Sequence, residues 1–182
     1  MIITISGKPG SGKSTVARLL AKRLGYRHYS VGDFMRQIAK EKKISLLELS
    51  NIAEQGIETD SRLDDMQIKL KGQDNFVLDS RLGWHFLPNS LKIFLEVDDK
   101  TAAKRIYRDM RKEEKENMTL EDTEKSIRRR IKSEKERYKE YYGLNPYDKR
   151  HYDLVMDTNR QAPEKVVRII LNFLEGQLPH HP

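Results

Sequence analysis

The 182-residue chain contains no cysteine, so a disulfide framework of the kind that holds small secreted domains together is excluded, and a reducing setting is indicated. It has neither a secretory signal nor any run of about 18 apolar residues, which leaves no stretch suited to crossing a bilayer as a helix. Internal repeats and low-complexity linkers are also missing. These absences lead us to expect a cytoplasmic protein with no membrane partner; the oligomeric state is left open, with a monomer favoured, and one domain over 1–182 is expected. The length suits one compact domain with small insertions and is too short for two large ones.

What the chain has in quantity is charge. The formal net charge is +7, and residues 100–150 carry 17 lysines and arginines against 11 acidic residues, which accounts for almost all of it. A basic stretch of that size is compatible with a nucleic-acid surface. The alternation Arg111-Lys112-Glu113-Glu114-Lys115-Glu116, however, is the pattern of a solvated helix face. Basic side chains facing the phosphates of a nucleotide explain the excess equally well, so no nucleic-acid partner is expected.

Short apolar runs at Met1–Ser6, His28–Ser30, Phe76–Asp79, Leu91–Val97 and Leu154–Asp157 alternate with helical patterns. Strands alternating with helices imply an α/β fold with a parallel five-stranded sheet covered on both faces. Ser45 and Glu48 have the spacing of a capping box, with Ile44 and Leu49 spaced as a hydrophobic staple. Pro163 suits the first turn of a closing helix whose Val166, Val167, Ile170 and Leu174 can dock on the sheet. Two stretches lack strand character, about 31–72 and about 108–150. Both are expected to be helical excursions above the carboxyl edge of the sheet, where open α/β sheets bind ligands.

Between the first strand and the first helix the chain reads Gly7-Lys8-Pro9-Gly10-Ser11-Gly12-Lys13-Ser14-Thr15, a complete match to G-x-x-x-x-G-K-[ST] in its required context. The glycines let the backbone curl until its N–H groups face a polyphosphate, and the helix N-terminus adds a favourable dipole. Lys13 supplies charge near the β- and γ-phosphates, and the Ser14 hydroxyl is a magnesium ligand. ATP or GTP binding, with Mg2+, is the expectation.

Three further segments fall on the same edge. Ser30-Val31-Gly32-Asp33-Phe34-Met35-Arg36 opens a helix with a carboxylate and, three residues on, a guanidinium. Phe76-Val77-Leu78-Asp79-Ser80-Arg81 is an apolar strand closed by an aspartate, the position at which enzymes with such a phosphate loop place a carboxylate that holds magnesium directly or through water. Arg128-Arg129-Arg130 and Arg137 lie on a helix that could close over bound nucleotides, stabilise the charge of phosphoryl transfer and exclude water. Trp84 and His85 read as packing and surface residues.

In this order the pieces resemble the nucleoside monophosphate kinases, and most closely the short cytidylate kinases of archaeal type, over nearly the whole chain. Residues 7–15 match the ATP loop and Ser30-x-Gly32-Asp33-x-x-Arg36 the start of the monophosphate-binding segment. Asp60-x-x-x-Asp64-x-x-Gln67 matches an Asp/Gln pattern, Arg81-Leu82-Gly83-Trp84 a post-strand turn, and Arg130 and Arg137 lid arginines. Tyr138-Lys139-Glu140-x-Tyr142-Gly143 and Tyr152-Asp153-Leu154-Val155-x-Asp157-Thr158 resemble the closing signatures. Two departures stand out: Lys13, where many archaeal members have a threonine-rich loop, and Leu82, where bacterial cytidylate kinases have an aspartate.

The resemblance implies transfer of the γ-phosphoryl of ATP to CMP or dCMP. It places Lys13, Arg81, Arg130 and Arg137 as catalytic cations, Ser14 and Asp79 as magnesium ligands, and Ser30, Asp33, Arg36, Asp64, Gln67 and Arg81 around the acceptor. Asp64 and Gln67, with Asp33 and Asp60 behind them, are the candidates for reading cytosine, whose edge offers an amino donor beside acceptors. An adenylate kinase, or a P-loop ATPase acting in RNA or ribosome maturation, is the alternative.

Overall fold

The computed structural model describes residues 1–44, 48–49, 52, 58–108 and 119–177. Ser45 of the capping-box pair and the 109–118 portion of the second helical excursion lie outside the described residues. Ile44 and Leu49, the staple pair, do share one small apolar cluster.

Five strands, β1 (Ile2–Gly7), β2 (Arg27–Ser30), β3 (Phe76–Asp79), β4 (Leu91–Glu96) and β5 (Leu154–Asp157), form one sheet in the order β2-β3-β1-β4-β5. All neighbours run parallel, with Ile5 opposite Asp79, Gly7 opposite Leu95 and Glu96 opposite Asp157. The five expected strands are therefore present, with ends displaced by a residue at β1, β2 and β4. Seven helices occur among the described residues: α1 (Lys13–Leu24), α2 (Val31–Lys42), α3 (Glu58–Ile68), α4 (Gly83–Phe86), α5 (Asp99–Arg108), α6 (Leu120–Tyr142) and α7 (Pro163–Gln177). None is long and apolar enough to cross a membrane.

The strands read as near-continuous apolar runs because both faces are covered. Successive side chains point to opposite faces. Ile3, Ile5, Val77, Ile93 and Leu95 accordingly join Val16, Leu20 and the α7 residues Val166 and Ile170 in the main core. Phe76 and Leu78 instead pack with Leu70 and Leu87 on the other side. A separate cluster joins α2 to α3 through Ile38, Ala39 and Leu63. Another ties α5 to α6 through Ala102, Ala103 and Ile127. The sheet, α1 and α7 thus share the main core. The two helical pairs stand at the carboxyl edge of the sheet, the helices of each pair joined by a small apolar cluster of their own.

Candidate functional site

The phosphate loop is built by two kinds of constraint. Gly10 has φ 74°, and a Cβ there would lie 2.8 Å from the Cα, Cβ and carbonyl oxygen of Ala102 in α5, so only glycine lets the loop rest on that helix. Gly12 has φ 82° with open space around it, the left-handed turn that delivers the chain into α1 at Lys13. Lys13 and Ser14 form the first turn of that helix. Behind the loop, Lys8 N donates to Leu95 O at 3.3 Å. Arg105 of α5 reaches Gly10 O at 3.3 Å and Thr158 Oγ1 at 3.2 Å, and the Thr158 hydroxyl in turn donates to Ser11 O. The result is a concave groove of about 180 Å3 lined by Lys8, residues 10–15 and Arg18.

Asp79 closes β3 directly beneath this groove with 4% of its surface exposed. Its Oδ1 lies 3.5 Å from Lys13 Nζ, while its Oδ2 accepts from Ser14 Oγ and, at 3.4 Å, from Ser30 Oγ. Burial alone would raise the Asp79 carboxyl, but the Lys13 ammonium and the Ser14 hydroxyl hold it below the usual carboxylate range, so it is ionised. Lys13 is pushed the other way, down to about 8, by burial first and by the neighbouring Arg81 second.

Three predicted cations converge on the same region. Arg81 Nε donates to Glu134 Oε2 at 2.8 Å and Arg130 Nε to Glu134 Oε1 at 3.0 Å, while Arg137 Nε lies 3.4 Å from Asp60 Oδ2. Of the arginine triplet, Arg130 is the member facing the edge. Arg128 turns to Asp99 and Glu124, and Arg129 is exposed. Arg36, by contrast, is half-buried and pairs with Asp33 on its own helix.

The two base-reading candidates differ. Gln67 is buried with its amide engaged, Oε1 accepting from Ser80 Oγ at 2.6 Å and Nε2 donating to Leu63 O at 3.3 Å. Asp64 Oδ2 accepts from Tyr142 OH at 2.6 Å, and Oδ1 has no hydrogen bond among the described residues. Trp84 is buried and stacks on His151, ring centroids 4.3 Å apart, while His85 is exposed.

Glu134, Tyr147 and Arg105 were not visible as site residues in the sequence. Glu134 sits in a run of alternating charge. Its one local signal is the spacing Ile127, Arg130, Glu134, Arg137, which marks a single helix face.

Burial raises the Asp64 carboxyl to about 6, against the Tyr142 hydrogen bond that lowers it. A carboxyl raised on folding supports the fold at low pH and loses that contribution as pH climbs through its folded value. Asp64→Asn should therefore raise the melting temperature at pH 7.5, and the gain should shrink towards pH 5. A gain equal at both pH values, or larger at pH 5, would contradict this.

Residues 2–160 match the model of the cytidylate kinase-like family. The cytidylate kinase of Methanothrix thermoacetophila is 42% identical over 171 residues, covering 94% of this chain and 96% of its own length. That of Methanothermobacter thermautotrophicus is 38% identical, covering 88% and 96%. Among solved structures, the shikimate kinase of Acinetobacter baumannii in complex with shikimate has a TM-score of 0.66 at 19% identity, covering 98% of this chain and 94% of its own. The Bacillus subtilis YorR protein in complex with phosphorylated GDP has a TM-score of 0.54 at 18% identity, with full coverage of both chains. At those identities the structural likeness establishes the fold and nothing finer.

Proposed function

The chain belongs to the cytidylate kinase-like family, and from that premise we propose that it transfers the γ-phosphoryl group of ATP to the 5′-phosphate of CMP, and of dCMP, giving ADP and the nucleoside diphosphate. The observation that carries the acceptor is the near full-length likeness to archaeal proteins named cytidylate kinase. The chemistry rests on the edge of the sheet, where a phosphate loop, a buried ionised aspartate and several cations face one another.

The acceptor is already an anionic phosphate oxygen, so the reaction needs no side-chain nucleophile and no strong base. Positioning and charge neutralisation suffice. In this reading the backbone N–H groups of residues 7–15 cradle the donor phosphates. Lys13, Arg81, Arg130 and Arg137 offset the charge spread over the transferring group. Ser30, Asp33 and Arg36 line the acceptor side. The Ser14 hydroxyl and the Asp79 carboxylate, already in hydrogen-bond contact, are hard oxygen donors that fit magnesium, which keeps most of its shell for water and substrate phosphate. Bound there, Mg2+ would neutralise phosphate charge. For the base, Asp64 is the better supported reader, because Gln67 would have to release Ser80 first. The α2–α3 pair serves as the monophosphate-binding segment of one kinase domain, and α6 as the described part of the lid.

A coupled assay of ADP release with CMP, dCMP, UMP, AMP and GMP tests the proposal. CMP should be the best acceptor. A polar pocket left unpaired by the wrong base discriminates strongly, so AMP and GMP should fall by about 100-fold or more in kcat/KM. Preference for AMP would replace the reading with an adenylate kinase, and ADP release independent of any monophosphate would replace it with an ATPase.

A further inference from the structure

Glu134 is the acidic side chain at the centre of the cations. Its side chain is 8% exposed, and it is anchored from three directions. Arg81 comes from the end of β3 and Arg130 from one turn earlier on α6. The Tyr147 hydroxyl, from the loop after α6, donates to Oε2. Burial would raise this carboxyl, but the charges of Arg81 and Arg130 hold it well below the usual carboxylate range. Buried ionic clusters of this kind are frequently no more stabilising than apolar packing of the same volume, so stability alone gives little reason for a carboxylate here.

The geometry gives a better one. Each guanidinium is held through Nε, its inner nitrogen, and one carboxylate oxygen serves each. Neither arginine spends its terminal Nη groups on a hydrogen bond among the described residues. A guanidinium pinned at Nε has lost its freedom to swing and presents its outer N–H groups in a fixed direction. That is the pre-organised fork suited to phosphate oxygens.

Building on the kinase reading, we propose that Glu134 is a positioning residue for phosphoryl transfer: a single carboxylate spans the β3 edge and α6, fixes Arg81 and Arg130 by their Nε atoms, and aims both at the phosphates held by the loop. Tyr147 completes the arrangement by occupying the remaining acceptor capacity of Oε2. Because the two arginines come from different elements, the same carboxylate sets how far α6 stands from the sheet when the arginines are in register.

The test turns on a sign. If Glu134 acted only by its charge, removing a negative group beside a phosphate site would tighten anion binding. Glu134→Gln should instead weaken ATP binding, by about 10-fold as measured by calorimetry, because an amide offers one acceptor oxygen where two arginines need one each. Turnover with CMP should fall by up to about 100-fold from misaimed cations. The effect should run through the arginines, so in an Arg130→Ala background the same substitution should change kcat by no more than about 3-fold. Tyr147→Phe, which keeps every charge, should shift both quantities in the same direction by less and covers the case in which Glu134→Gln does not fold. Tighter ATP binding in Glu134→Gln, unchanged ATP binding in a folded Glu134→Gln or Tyr147→Phe, or full independence from Arg130, would overturn the proposal. A wild-type protein that binds ATP but leaves CMP untouched would remove the acceptor assignment, while the change in ATP affinity would still decide the role of Glu134.

Discussion

Replacing Lys13 with alanine should lower turnover by about 100-fold or more, the loss typical of one electrostatic group aimed at the transition state, with the far-UV spectrum and thermal transition close to those of the parent. Both halves follow from its setting. The ammonium lies 3.5 Å from Asp79, next to Arg81 and Arg130, so in the proposed reading it faces the phosphates that the loop would cradle. It is also largely buried, with its side chain 18% exposed. A buried lysine whose proton affinity is lowered to about 8 by burial and by neighbouring cations is not stabilised in its charged form by folding. Removing it relieves some repulsion and leaves Asp79 with the Ser14 and Ser30 hydroxyls as partners. Near-normal turnover in this variant would mean that phosphoryl transfer takes place elsewhere.

Arg81→Ala should behave differently, losing stability together with activity. Arg81 and Glu134 are 11% and 8% exposed, and deleting one member of a buried pair strands the other. Such deletions cost about 3–5 kcal/mol. Because Arg130 and Tyr147 remain beside Glu134, the low end, about 3 kcal/mol, is expected. For a chain of this length that corresponds to a fall of roughly 6–12 °C in melting temperature. Adding Glu134→Gln to Arg81→Ala should recover part of that loss by removing the stranded charge, without recovering turnover. If the double variant melts no higher than Arg81→Ala, the carboxylate is not the source of the cost.

The contrast between these two cations shows what was legible in the sequence. Residues 7–15 announce a phosphate loop because all its parts are contiguous and lie between strand and helix. The strands were visible for a similar reason: a parallel sheet buried on both faces leaves apolar runs that need no partner to be recognised. Asp79 and Arg81 could be placed at the ligand edge because they follow such a run. Glu134 could not. Its partner Arg81 lies 53 positions away, and within its own helix it is one of many acidic residues at charge-pair spacing. Arg105 is hidden in the same way, since its hydrogen bonds to Gly10 and Thr158 cross 95 and 53 positions. Gln67 shows the converse, a contact the sequence did not disclose. The pattern marked it as a base reader, whereas the fold commits its amide to Ser80, a contact that depends on where α3 meets the end of β3.

The order of strands has a consequence for how the molecule comes into being. β1, which carries the phosphate loop, is the central strand and pairs only with β3 and β4. It therefore leaves the ribosome with no neighbour to join until residues 76–79 and 91–96 have been made. The loop is braced later still, by Leu95, Arg105 and finally Thr158. Pairings across such separations must bear the entropy of closing long stretches of chain before they gain anything, which makes assembly slow and leaves an apolar strand waiting in the open. The phosphate loop is thus complete only when segments as far along the chain as Arg105 and Thr158 have come together around it.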